Sequence, residues 1–291
     1  MYWEALDSGA VRCVLCPRLC SIPEGARGFC GVRENRGGRL AAVGYGLVSS
    51  VALDPIEKKP LYMFCPGTRI LSVGGFGCNL NCPFCQNYEI SMFRDSGAAG
   101  GGNKNSQRDE RRLTPEDILS LAKQTVPDRN IGVAYTYNEP FINYEFLFDC
   151  AKLVHEAGLK NVLVTNGYIN KEPLEAILPY VDALNIDLKA FTDSFYGKIG
   201  GKTDTVMETI ALSSKRCHVE VTTLVIPGEN ESDVAGIAGW LSSVSPDITL
   251  HLSRFFPRYK YSDREPTPRE TITRLQETAK KYLKNVFAGN M

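Results

Sequence analysis

No stretch of this 291-residue chain carries the roughly 18–20 consecutive apolar residues that a bilayer-spanning helix needs. Neither charge predominates, since Lys+Arg and Asp+Glu are both 33. The first absence argues against a helical membrane span. The second argues against a general nucleic-acid or membrane-surface binder, which normally shows a basic excess; only a local basic patch stays compatible. The stretch MYWEALDSGAVRC at the start has no basic-then-apolar signal pattern. A cytoplasmic location follows as the expectation, with no nucleic-acid or membrane partner. One more thing is missing. Residues 74–87 read GGFGCNLNCPFCQN, with Cys78, Cys82 and Cys85 in one short window, and no second pair of matching spacing follows Cys85. A tetrahedral zinc site with C-x2-C arms needs that pair.

What is present starts with cysteine. There are ten, and seven of them fall in two tight clusters. In a cytosolic chain, clustered cysteines read as metal ligands or redox groups rather than disulfides. Cys65, Cys150 and Cys217 stand apart, and ordinary burial accounts for Cys150 and Cys217. The length suits one large domain, or a large domain with an appendage. We place the boundary between a Cys-, Gly- and Arg-rich segment, 1–45, and a main domain, 46–291. Residues 96–107 are Gly/Asn/Ser-rich and read as a flexible surface loop or insertion.

Beyond that insertion the chain alternates. Val/Ile-rich segments at 70–74, 131–137, 161–165, 183–188, 218–226, 248–253 and 285–288 are nearly continuous in apolar character, as buried parallel strands are. Helical patterns separate them. Thr114-Pro115-Glu116-Asp117 reads as an N-cap with Pro at the first helical position. Thr267-Pro268-Arg269-Glu270 reads as a capping box, with Ile272, Leu275, Ala279 and Tyr282 on one face. Val234, Ile237, Ala238, Leu241 and Val244 form a third stripe. Such repetition predicts βαβ units and a parallel sheet. About six repeats predict an α/β fold of the partial or complete (β/α) barrel type, with an open doubly wound sheet as the alternative. In either, functional groups collect at the C-terminal strand ends.

Cys78 lies just past the strand ILSVGG, at such an end. Four thiolates close a [4Fe–4S] cluster that only shuttles electrons; three leave one iron open. Phe84, between the last two cysteines, can shield the site, and Asn87 follows two residues after Cys85. The segment CNLNCPFC resembles the signature of the radical S-adenosylmethionine (SAM) superfamily. That resemblance implies a partial (β/α)6 barrel and a [4Fe–4S] cluster whose open iron is chelated by SAM. It also implies a 5′-deoxyadenosyl radical that abstracts hydrogen from a substrate. With DPIEKKPLYMFCPGT, AYTYNEP, VTNGYI, NIDLKAF, VEVTTLVIPGEN, SRFFPRYK and VFAGN, the whole chain resembles the radical SAM member of the so-called AmmeMemoRadiSam system, a group similar to pyruvate formate-lyase activating enzymes. Two departures stand out: Met63 where many members have a histidine, and an end at Met291 where many run on into a cysteine-containing tail.

The resemblance also distributes SAM contacts over the other strand ends. Glu139, after Asn138, is similar in position to the last residue of the family's GGE motif, which receives the SAM amino group; the two glycines are Tyr137 and Asn138 here. Thr165 and Asn166 suit a ribose or carboxylate, or else form an Asn-Gly turn. Asp187 and Lys189, two apart on one strand, point the same way and match a DxK that contacts SAM in the activases, or else form a structural ion pair. His251 matches a family histidine near the SAM sugar, or is a satisfied core residue, and Arg254 accompanies it. Phe84 and Asn87 complete the expected cofactor-binding set. His155 reads as solvated and His218 as an edge residue.

Cys13, Cys16, Cys20 and Cys30 supply four thiolates, enough to close a second site. A second [4Fe–4S] cluster and a structural zinc compete for it. The expected activity is that of a radical SAM oxidoreductase resembling glycyl-radical activases, fed by reduced ferredoxin or flavodoxin and acting on a protein or peptide. Radical modification of a small molecule, or a non-catalytic iron–sulfur carrier, is the alternative. Residues 88–112 flank the mouth and are read as a lid or docking surface.

Overall fold

The computed structural model describes residues 1–93 and 111–291. The 96–107 stretch, and most of the 88–112 segment read as a lid, fall outside the described residues. The main sheet has eight strands: β1 (Ser50–Pro55), β2 (Arg69–Gly74), β3 (Asn130–Thr136), β4 (Lys160–Thr165), β5 (Ala183–Asp187), β6 (His218–Val225), β7 (Thr249–Arg254) and β8 (Val286–Gly289). Strands β2 to β8 are parallel and stand in chain order; β1 joins the β2 edge antiparallel. Helices α1 (Pro115–Gln124), α2 (Tyr144–Glu156), α3 (Lys171–Ile177), α4 (Asp193–Ile199), α5 (Thr203–Ser213), α6 (Val234–Val244) and α7 (Arg269–Ala279) fill the crossovers.

The order settles the choice between the two α/β alternatives. A doubly wound sheet reverses its strand order at a switch point. Here it never reverses, so right-handed crossovers put every helix on one face and the sheet curls around the other. Six strand–helix units followed by a last strand result, an open sheet of the partial (β/α)6 kind, with β1 and β8 as its edges among the described residues.

Local chemistry explains most element ends. Thr114 and Asp117 form a reciprocal capping box at α1. The box expected at Thr267 does not form, because tertiary partners take the hydroxyl. Thr267 Oγ1 donates to Val225 O and accepts from Phe255 N, and no side chain caps α7. Ile272, Leu275 and Ala279 are buried as the stripe predicts, but Tyr282 lies past the helix end and is exposed.

Residues 56–68 connect antiparallel β1 to β2; Ile56 and Leu61 close the N-terminal end of the sheet, while Lys58, Lys59 and Pro60 reach the interior cleft. Ile56 and Leu61 pack with Ile70, Val162 and Ala183, at or near the starts of β2, β4 and β5, and with Ala134 further along β3. Asn185 Nδ2 donates to Pro60 O, and Glu220 accepts from the amides of Tyr62 and Met63. The C-terminal strand ends are left open for a site.

The first 45 residues are more ordered than their composition suggests. They form a three-stranded sheet, Trp3–Ala5, Val11–Cys13 and Ser21–Ile22, and a hairpin, Arg33–Arg36 with Arg39–Ala42. Val11, Leu15 and Ile22 belong to the same buried cluster as the crossover helices. Arg33 is 2% exposed and makes a bidentate pair with Glu145 on α2, at 2.8 and 2.9 Å. Burial opposes ionisation of Glu145, but the Arg33 hydrogen bonds and charge hold its carboxyl below the usual range. Arg33→Ala is expected to destabilise the fold by about 3 kcal/mol, because it strands a largely buried charge. Urea denaturation at neutral pH measures this.

Candidate active site

Strand ends β2, β3, β4 and β5 surround a cleft of about 390 Å³, inside the range of small-molecule sites. Each wall follows from a local feature. Past Gly74 the chain leaves β2 through Gly75 and Gly77 and wraps into the cysteine loop. Gly77 has φ +86, and a Cβ there would lie 2.3 Å from Cys30 O, so only glycine fits this close approach. Asn138 reaches back from the end of β3 to hold the turn: its Oδ1 accepts from Gly75 N at 2.9 Å and its Nδ2 donates to Gly77 O at 3.1 Å. Asn87 Nδ2 donates to Tyr137 O at 2.7 Å and fixes the far side of the loop.

Cys78, Cys82 and Cys85 all line the cleft. Burial drives all three thiols up, Cys82 to about 12. Such thiols ionise only when a metal offsets their charge. Leu80 N and Asn166 Nδ2 point at Cys78 Sγ at 3.4 and 3.5 Å, donors of the kind that steady ligand sulfur. Phe84 is 5% exposed and packs between Phe195 and Tyr261, covering the loop. Among the described residues no three His, Cys, Asp or Glu side chains converge as one ion requires; the three thiols stand around the wall of one cavity. As a donor set they would supply three thiolates to a cluster at this wall, one fewer than a four-thiolate site.

Glu139 is 2% exposed at the same wall. Its Oε1 accepts from Phe141 N and Thr165 Oγ1 at 3.0 and 2.8 Å, and its Oε2 from Asn166 N at 2.8 Å. Burial pushes its carboxyl up to about 7, against those hydrogen bonds and with help from the charge of Asp187. A buried carboxylate with spare acceptor capacity and a raised pKa is suited to receive a cation. Asp187 and Lys189 also face the cleft, paired at 2.8 Å. Burial works against the Lys189 ammonium, but Asp187 more than offsets it and raises its pKa.

The structure therefore brings together Phe84, Asn87, Asn138, Glu139, Thr165, Asn166, Asp187 and Lys189 with the three cysteines. It does not bring His251 or Arg254 to the cleft wall. His251 lies below it on β7, 2% exposed, with Nε2 2.6 Å from Glu220 Oε2 and its ring between Tyr62 and Phe287. Arg254 Nε donates to Thr267 O, and its guanidinium lies over Phe256. Both lie on β7, three residues apart and so on opposite faces; their depth and neighbours could not be read from spacing. Sequence reasoning gave no site role to Lys58, Lys59, Ser253 and Asn290, which also line the cleft. The lysines stand beside Glu57 in the sequence, so an ordinary solvated charge run is the plain reading of them.

Glu220, fully buried, also accepts from His218 at 2.9 Å. Burial opposes its ionisation, but both histidines and two amides hold it down at about 2. Because that lies below the ordinary 4.5, its stabilisation is full above about 4.5 and fades as pH falls toward about 2. Glu220→Gln is expected to cost about 3 kcal/mol at neutral pH. The gap to the parent, followed by urea denaturation, should narrow on acidification to about pH 3.

Cys13, Cys16, Cys20 and Cys30 are mutual neighbours at the back of the loop. Burial pushes Cys16 to about 12 and Cys30 to about 11, and each also feels the charges of the others. Arg18 Nε donates to Asn79 O, and Asn79 Nδ2 to Tyr168 O, so this segment is stitched to the residue beside Cys78.

A family model of the radical SAM superfamily matches residues 72–241. This chain belongs to the radical SAM superfamily. An uncharacterized protein of Methanocaldococcus jannaschii is 44% identical over 298 residues, covering 100% of this chain and 84% of that protein. A pyruvate formate-lyase-activating enzyme of Clostridium pasteurianum is 29% identical over 240 residues, covering 76% and 92%. Among solved structures, QueE from Escherichia coli superposes with a TM-score of 0.51 at 14% identity, covering 82% of this chain and 92% of that one. Streptococcus suis SuiB bound to its precursor peptide SuiA gives 0.52 at 13%, covering 73% and 46%. At these identities the structures establish the shared fold. Family membership implies a [4Fe–4S] cluster and SAM, and the three-thiol wall with its acidic neighbour suits both.

Proposed function

We propose that this protein is an activating-enzyme-like radical SAM oxidoreductase. The observation that supports this most is that three buried thiols and the Glu139 carboxylate open onto one cleft at the C-terminal strand ends. In this reading Cys78, Cys82 and Cys85 hold the [4Fe–4S] cluster. When bound, cluster and SAM supply a carbon-centred radical that removes a hydrogen atom from the substrate.

The chain's own residues prepare that event. Glu139 receives the SAM ammonium, and its raised pKa falls back as the cation arrives. Lys189 and Asp187 offer one cation and one anion to the remaining polar groups of SAM. Thr165 and Asn166 hold Glu139 in position while Asn166 steadies Cys78. Phe84 excludes water from the loop. Asn138 and Asn87 fix the loop against the β3 end.

The substrate in this reading is a protein or peptide. The likeness to a pyruvate formate-lyase-activating enzyme, and the fold shared with a protein solved with its precursor peptide, support that choice by analogy alone. Reduced ferredoxin or flavodoxin supplies the electron. The four N-terminal thiols take a metal, either a second [4Fe–4S] cluster or zinc.

Anaerobic reconstitution, reduction with dithionite and addition of SAM should yield 5′-deoxyadenosine. No product from a fully loaded cluster would sink the reading. Joint replacement of Cys78, Cys82 and Cys85 by Ala should abolish the product. Metal analysis of that variant then separates the two N-terminal options, since residual iron means a second cluster and zinc means a structural ion. Glu139→Gln should weaken SAM binding about tenfold with iron content unchanged, the loss expected for one charge-assisted hydrogen bond.

A further inference from the structure

One wall of the cleft carries charge that none of these roles uses. Lys58 and Lys59 both line it. Lys59 is 2% exposed; its ammonium lies 2.8 Å from Asp54 Oδ2 and 4.6 Å from the Tyr137 ring centroid. The Tyr137 phenol donates to the same Oδ2 at 2.6 Å. Lys58, 67% exposed, reaches Asp54 Oδ1 at 3.4 Å. One carboxylate thus serves two ammonium groups and a phenol. Burial opposes ionisation of Asp54, but Lys59 and Tyr137 hold its carboxyl well below the usual range, so it stays an anion. One positive charge is left over at the cleft surface.

The other charged groups facing the cleft do not cancel it. Asp187 is paired with Lys189, and in the proposed reading the Glu139 carboxylate is matched by the SAM ammonium. The wall is also placed with some care. Tyr137 has φ +71, a left-handed backbone that is strained for a non-glycine residue. Its carbonyl is tied to Asn87 in the cysteine loop while its phenol is tied to Asp54. The lysines therefore stand one tyrosine away from the loop that carries Cys85. A structural ion pair needs one buried cation; it needs neither a second, adjacent one facing the cavity nor a strained tyrosine to hold the carboxylate.

From this geometry we propose that Lys58 and Lys59 form an anion subsite for a carboxylate or phosphate group of the substrate. Asp54 and Tyr137 act as positioning residues for Lys59. The proposal rests on the reading of the cysteine end as the SAM-cleaving centre, because that reading decides which end the substrate occupies. An acid group at this spot has two sources, the substrate or the methionine carboxylate of SAM itself.

Calorimetric titration of the reconstituted holoenzyme with inorganic phosphate and with succinate, with and without saturating SAM, tells the sources apart. Binding should persist with SAM in place. It should weaken about tenfold in Lys58→Ala and in Lys59→Met, the value of one hydrogen bond to a charged group. Lys58→Ala leaves the buried Lys59–Asp54 pair intact. If Lys59→Met alone fails to fold, the Asp54→Asn/Lys59→Met pair removes the stranded charge and serves instead. Anion binding that disappears when SAM is added would assign the lysines to SAM and overturn the proposal, as would binding unchanged in the variants. SAM cleavage is followed on the same preparation. Its failure beside intact, lysine-dependent anion binding would remove the reading of the cysteine end and leave the subsite standing.

Discussion

Asparagine side chains hold this site together. A loop that leaves a buried strand to wrap a metal cannot satisfy its own backbone, and buried amides left unpaired are costly. Here the neighbouring strand ends satisfy it. Asn138 pairs with both Gly75 and Gly77, Asn87 with Tyr137, and Asn79 with Tyr168. Asn166 Nδ2 then joins Asn79 to the Cys78 sulfur. Asparagine suits this work because one short, rigid amide both donates and accepts. The loop, Glu139 and the cleft wall are consequently one hydrogen-bonded body, and a shift in any strand end moves the thiols.

The N-terminal segment is part of the same body. Gly77 has no Cβ, and Cys30 O occupies the space a Cβ would need. Arg18 binds the carbonyl of Asn79 from the same side, and Arg33 anchors the hairpin on α2. A segment of about 45 residues has too little apolar surface to fold on its own terms. Its thiols and its anchoring on the barrel therefore support one another, and each cysteine set helps fix the position of the other.

Much of this was legible in sequence. Seven Val/Ile-rich runs mark the parallel strands because strands buried on both faces must be apolar throughout. The cysteine spacing marks the loop because ligands on one short turn have few workable separations. Less legible was anything fixed by long-range partners. Thr267 looks like a cap and instead bridges Val225 and Phe255. Strand β1 and helices α4 and α5 lack a clean period. His251 and Arg254 share β7, but spacing along a strand gives a direction and not a depth. The lysine pair at 58–59 went unused because its meaning depends on Asp54 and Tyr137, and Tyr137 lies far along the chain.

Two buried charged networks within the same sheet show how such a residue can be judged. Glu220 at the closed end accepts from Tyr62, Met63, His218 and His251, with no lone pair aimed at a cavity. Its donors match its acceptors, so it closes the N-terminal end and leaves nothing for a ligand. Asp54 also takes three donors, but two are ammonium groups that face the cleft. The first network meets each carboxylate acceptor with a donor of the protein; the second sets two cations against one anion. Burial costs both, and what is left unmatched separates a residue that holds the fold from one that awaits a partner. By that measure the Glu220–His251 contact is met within the protein, while Glu139, Lys58 and Lys59 stand open at the cleft.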